Sequence, residues 1–74
     1  MRLLDQAVLT EDLPEHGLRK GDIGTVVLMH QGGEAYSVEF MTLDGETLAV
    51  ATVSASQVRA AAPREVAHAR PIVT

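Results

Sequence analysis

Ile23-Gly24-Thr25-Val26-Val27-Leu28-Met29-His30-Gln31-Gly32-Gly33-Glu34-Ala35-Tyr36-Ser37-Val38-Glu39-Phe40-Met41 is the stretch that decides the fold. Its first part, Ile23 to His30, is β-branched and aliphatic, the composition of a strand. Gly24 inside that run marks a bulge or a close backbone approach. Gln31-Gly32-Gly33-Glu34 sets paired glycines between two strand patterns, which predicts a tight hairpin. Ala35 to Met41 then alternates: Tyr36, Val38 and Phe40 face one way, Ala35, Ser37 and Glu39 the other.

Downstream, Thr42 and Leu43 lead into Asp44-Gly45, a second hairpin signal. Glu46 to Val53 is the next strand, with Leu48, Val50 and Thr52 expected on its core face. Ser54-Ala55-Ser56-Gln57 is short and polar and predicts a single 3₁₀ turn. Val58-Arg59-Ala60 is a short last strand. Upstream, Leu3 to Thr10 is a first strand interrupted by Asp5 and Gln6. Glu11 to Asp22 holds Pro14, Gly17 and Gly21 without a usable period, so it is a long loop. Leu13 and Leu18 would pack that loop onto the body, and Gly17 and Gly21 would supply backbone angles that other residues avoid.

The order is strand, long loop, strand, hairpin, strand, hairpin, strand, single turn, strand. It predicts an all-β chain: a small SH3-like five-stranded barrel over residues 1–62 with a short C-terminal appendage over 63–74. An OB fold is the second choice, because it needs longer strands and a helix where only Asp44-Gly45 stands. Closure would remove exposed strand edges. The expected core is Val8, Leu13, Val26, Leu28, Tyr36, Val38, Phe40, Leu48, Val50 and Val58. Thr47, Ala49, Ala51 and Val53 then form a bland outward strip, left as a contact surface or covered by the tail residues Val66, Ile72 and Val73. Arg64 to Arg70 has helix-tolerant composition and stops at Pro71.

With 74 residues the chain has room for one domain, and a chain this short buries only about 60% of its unfolded surface. Its 46% apolar and 22% charged residues are those of an ordinary folded domain. It has no cysteine, which removes disulfides, thiolate metal sites and a cysteine nucleophile. Apolar runs fall far short of the roughly 20 residues needed to span a bilayer. No apolar leader follows Met1, so a cytoplasmic location without membrane association is expected. Charge is uneven. Residues 1–57 carry three cations against nine carboxylates, a net of −6, while residues 58–74 carry three arginines against Glu65, a net of +2. The basic tail therefore suits a nucleic acid, an acidic partner or the protein's own acidic body.

Val8-Leu9-Thr10-Glu11-Asp12-Leu13-Pro14-Glu15-His16-Gly17-Leu18-Arg19-Lys20-Gly21-Asp22-Ile23-Gly24-Thr25-Val26-Val27 resembles bacterial domain-of-unknown-function family 4926. Gly33 to Phe40 and Thr42 to Thr47 are similar to the same family. The resemblance spans about residues 4–60 and implies a small SH3-like barrel without implying an activity. A looser likeness runs to KOW-type modules through Gly21-Asp22-Ile23-Gly24-Thr25-Val26; it specifies a fold, and fold does not specify function.

Candidate chemistry is sparse. Glu11, Asp12, Glu15 and His16 concentrate ionisable groups, but a metal needs three or four convergent ligands on a firm scaffold. His30 and His68 have no spacing that makes a site. Ser37, Ser54 and Ser56 sit in no nucleophile motif, and a small barrel fills its interior with side chains. No catalytic residue, metal or cofactor is expected. Nucleic acid is disfavoured by the acidic body and by having a single Tyr and a single Phe, both aimed inward. The same lack of aromatics excludes a groove for proline-rich ligands. What remains is a non-catalytic protein–protein interaction module, of the antitoxin, immunity or accessory type, whose acidic loop suits a basic partner. The expected partner-binding residues are Glu11, Asp12, Pro14, Glu15, His16, Leu18, Arg19 and Lys20, with homo-oligomerisation through the tail as a further expectation. The alternative is a KOW-like RNA- or ribosome-associated domain.

Overall fold

The computed structural model describes residues 1–72. Its strands are β1 (Gln6–Leu9), β2 (Ile23–His30), β3 (Ala35–Met41), β4 (Thr47–Ser54) and β5 (Val58–Ala60). Single 3₁₀ turns lie at Pro14–His16 and Ala55–Gln57. All pairings are antiparallel, in one sheet of order β4-β3-β2-β1-β5. The two predicted hairpins and the turn before β5 stand where the glycine pairs and the polar tetrapeptide put them. Gln57 Oε1 accepts the Ser54 backbone N–H at 2.9 Å and its carbonyl accepts Thr10 N–H at 2.9 Å, so the turn is stitched to the end of β1. Among the described residues β4 and β5 do not pair, and the sheet keeps an edge at each. After β5 the chain turns at Pro63 and runs to residue 72 without a helix; the helix-tolerant stretch before Pro71 is not helical.

Ala7, Leu9, Leu13, Leu18, Val26, Tyr36, Val38, Phe40, Ala51, Val53 and Val58 make the core, and Val8 is buried beside it. Gly24 is a close approach. A Cβ there would lie 2.5 Å from Val38 Cγ1 and 2.7 Å from the Glu39 carbonyl oxygen, so β2 packs against β3 at a distance only glycine allows.

Three core expectations fail for one reason, the parity of the pairing. In β4, Val53, Ala51 and Ala49 stand opposite Tyr36, Val38 and Phe40, and residues opposite each other share a face. The strip expected outside is therefore the core face: Val53 is 2% exposed, whereas Val50 is 55% exposed and Leu48 only half-buried. A register shift between Phe40 and Met41 sets that parity. In β2 a bulge at Val27 separates the Val26–Val38 pair from Leu28–Ser37 and turns Leu28 outward. Val66 is 95% exposed, Ile72 rests partly against the body, and Val73 lies outside the described residues.

Candidate functional site

The first loop is built as a rigid platform. Leu13 and Leu18 exchange backbone hydrogen bonds of 2.9 and 3.1 Å and put both side chains in the core. Between them the chain makes the Pro14–His16 turn and reverses at Gly17, whose φ of +68° suits a residue without Cβ. Gly21, at φ +93°, then returns the chain to β1, its N–H donating to the Leu9 carbonyl at 2.8 Å. Asp12 Oδ1 accepts Lys20 N–H and Asp22 Oδ2 accepts Arg19 N–H, each at 2.8 Å. The loop backbone is thus held at both ends and across its middle.

Glu11, Asp12, Pro14, Glu15, His16, Arg19 and Lys20 all face solvent on this platform. Leu18 does not; its side chain lies in the core, where a partner cannot reach it. The loop charges stand apart: among the described residues no three His, Asp or Glu side chains come together in a way that would hold a metal ion.

Two residues that sequence reasoning passed over complete the site. The Arg70 guanidinium, 48 positions downstream, grips the Asp22 carboxylate at both oxygens: Nε donates to Oδ1 at 2.8 Å and Nη2 to Oδ2 at 2.5 Å. Nη2 also donates to the Gly17 carbonyl at 3.1 Å. This is a bidentate, charge-assisted contact with little open solvent around it, the Asp22 and Arg70 side chains being 17% and 23% exposed. Burial pushes the Asp22 carboxyl up, but the Arg70 guanidinium and the Arg19 backbone N–H outweigh it and hold the pKa below the ordinary value. The available signal was the basic tail itself, for which the protein's own acidic body was one of the recipients considered. A second arginine pairs within the basic segment itself: Arg59 donates to both oxygens of Glu65 at 2.7 and 2.6 Å, and Glu65 also accepts Ala62 N–H at 2.6 Å. The Arg59 guanidinium beside it, followed by that N–H, holds the Glu65 carboxyl at about 2.

Arg70 crosses between two concave spaces. One, of about 780 Å³, lies between the tail and Ile23, Phe40, Leu43 and Leu48. The other, of about 510 Å³, lies on the loop side against Pro14, His16 and Leu18. Elsewhere, His30 Nε2 and Ser37 Oγ are 2.9 Å apart and Ser37 Oγ and Thr52 Oγ1 3.3 Å apart, which satisfies the buried serine on the outer sheet face. Among the described residues no helix is long and apolar enough to cross a membrane.

A family model described as a domain of unknown function (DUF4926) matches residues 3–60. No curated protein and no solved structure matches the chain. The match takes in the first loop and all five strands and stops before the segment that carries Arg70.

Proposed function

The chain belongs to the DUF4926 family, and from that premise we propose that it is a non-catalytic protein–protein interaction module, an accessory or antitoxin-type partner of another protein. We further propose that its sheet coils into an SH3-like barrel. The strand order β4-β3-β2-β1-β5, with β2 shared by both halves and a 3₁₀ turn before β5, supports that geometry.

One observation carries the functional proposal: the first loop is pinned at Leu13, Leu18, Gly21 and Asp22 while its charged side chains point outward. A loop ordered before binding loses little entropy when a partner engages it. Its acidic members Glu11 and Glu15 favour a basic partner and raise the encounter rate at low salt.

The test is capture with the full chain from a lysate of the organism that makes it, with and without nuclease, alongside a Glu11→Gln/Glu15→Gln variant. A stoichiometric protein that survives nuclease and is weakened in the variant is the expected result. Recovery only of RNA-linked proteins that vanish with nuclease, and on Arg19→Ala/Lys20→Ala substitution, would replace this function with the KOW-like RNA-associated one.

A further inference from the structure

Every hydrogen bond between residues 66–72 and the rest of the described chain is made by the Arg70 guanidinium. The segment adds no backbone ladder. Val66 projects into solvent, and Ile72 is only partly covered. Space of about 780 Å³ remains on one side of the tail, bounded by Ile23, Leu43 and Leu48, and about 510 Å³ on the other, bounded by Pro14 and Leu48. The tail therefore satisfies the polar centre of this groove and leaves Ile23 and Leu48 only partly covered. Asp22 and the Gly17 carbonyl, by contrast, are fixed by the loop: Arg19 N–H holds one carboxylate oxygen, and the αL turn at Gly17 sets the carbonyl. Both acceptors of the receptor are thus placed by contacts within the body.

We propose that Asp22 and the Gly17 carbonyl form an arginine-recognition site, and that Arg70 is its internal competitor, displaced when a partner protein presents an extended segment carrying an arginine flanked by apolar side chains. A planar guanidinium matches a carboxylate at two points where an ammonium matches at one, so the site selects arginine over lysine. Flanking apolar side chains longer than Ala67, Ala69 and Pro71 would occupy the walls that the tail leaves bare. This deepens the interaction-module proposal and rests on it for the source of the arginine. Tethering gives the tail an effective concentration on the order of millimolar, so it masks the site from weak ligands and yields to strong ones.

The probe is a capped peptide of residues 66–72, titrated into the isotope-labelled full chain and followed at the backbone amides of Gly17, Arg19 and Asp22. Removing the competitor with Arg70→Ala should lower the apparent Kd of the peptide at least about fivefold relative to the unsubstituted chain. Replacing the peptide's arginine by alanine should abolish the shifts, and replacing it by lysine should weaken them. Arg70→Lys in the protein should unmask the site nearly as well, which covers the case of an alanine variant that folds poorly. Equal affinity for the unsubstituted and Arg70-substituted chains, or an alanine peptide binding as well as the arginine one, would overturn the proposal. The peptide does not engage Glu11 or Glu15. Its failure therefore leaves a Glu11- and Glu15-dependent complex standing, and loss of that complex with peptide binding intact removes only the partner's identity as a protein.

Discussion

Gly24→Ala separates steric approach from backbone conformation. The added methyl would sit 2.5 Å from Val38 Cγ1, 2.7 Å from the Glu39 carbonyl oxygen and 3.0 Å from Phe40 Cδ1. Val38 is wholly buried and cannot swing away, and the carbonyl belongs to the β3 backbone, so β2 and β3 must separate. Overpacking of this kind costs about 1–3 kcal/mol, and a clash with backbone belongs at the upper end. A domain of this size loses about 4–8 °C of Tm per kcal/mol, so a fall of about 12–24 °C is expected. Gly17→Ala is the comparison. Its φ is +68° but nothing lies within 4 Å of the new methyl, so only the left-handed backbone is penalised. That costs about 1 kcal/mol, or about 4–8 °C. Both changes stiffen the unfolded chain equally, so this effect cancels between them. Urea denaturation followed by far-UV circular dichroism would measure both, with an unchanged slope expected. If Gly24→Ala unfolded at the unsubstituted midpoint, or lost less than Gly17→Ala, the close packing of β2 on β3 would be wrong.

The β4 register yields a paired expectation: Val53→Ala should cost about 1–3 kcal/mol through lost burial and a cavity, while Val50→Ala on the outer face should stay within about 0.5 kcal/mol. A larger loss for Val50→Ala than for Val53→Ala would point to the opposite parity. Asp22 and Glu65 both have lowered pKa values in the folded chain, so each stabilises it above its unfolded value and ceases to do so as pH falls through its folded value. For Glu65 the window runs from 4.5 down to about 2, and for Asp22 it lies below 3.8. Asp22→Asn should therefore destabilise the protein at neutral pH, with the gap to the unsubstituted chain narrowing as the buffer is taken below pH 3.8. A gap that persists across that range would refute the role given to the carboxylate charge.

Much of the architecture was legible because it is local. Gly32-Gly33 and Asp44-Gly45 announce their hairpins through the positive φ that turns demand, and Gly32, Gly33 and Gly45 all have it. Period-two alternation in β3 places Tyr36, Val38 and Phe40 inward, and they are buried. Leu13 and Leu18 are apolar residues in a polar loop, which marks them as its anchors. The candidate site was legible only in half. Its exposed charges, from Glu11 to Lys20, lie together in sequence, but the groove and its arginine do not.

The amino-acid sequence by itself determined the order of the strands, where the chain turns and which residues hold the first loop to the core, since periodicity, glycine and apolar content act over a few neighbours; it made the first strand too long, Leu3 to Thr10 where β1 is Gln6–Leu9. Only the tertiary structure decided which face of β4 is inside, because one extra residue in a bulge inverts an alternating pattern without altering it. It also decided that β4 and β5 remain as edges and that Arg70 returns to Asp22. A guanidinium on an unpatterned tail carries no local mark of its acceptor; the pair exists because the path of the folded chain brings a carboxylate and a carbonyl together at the mouth of an apolar groove.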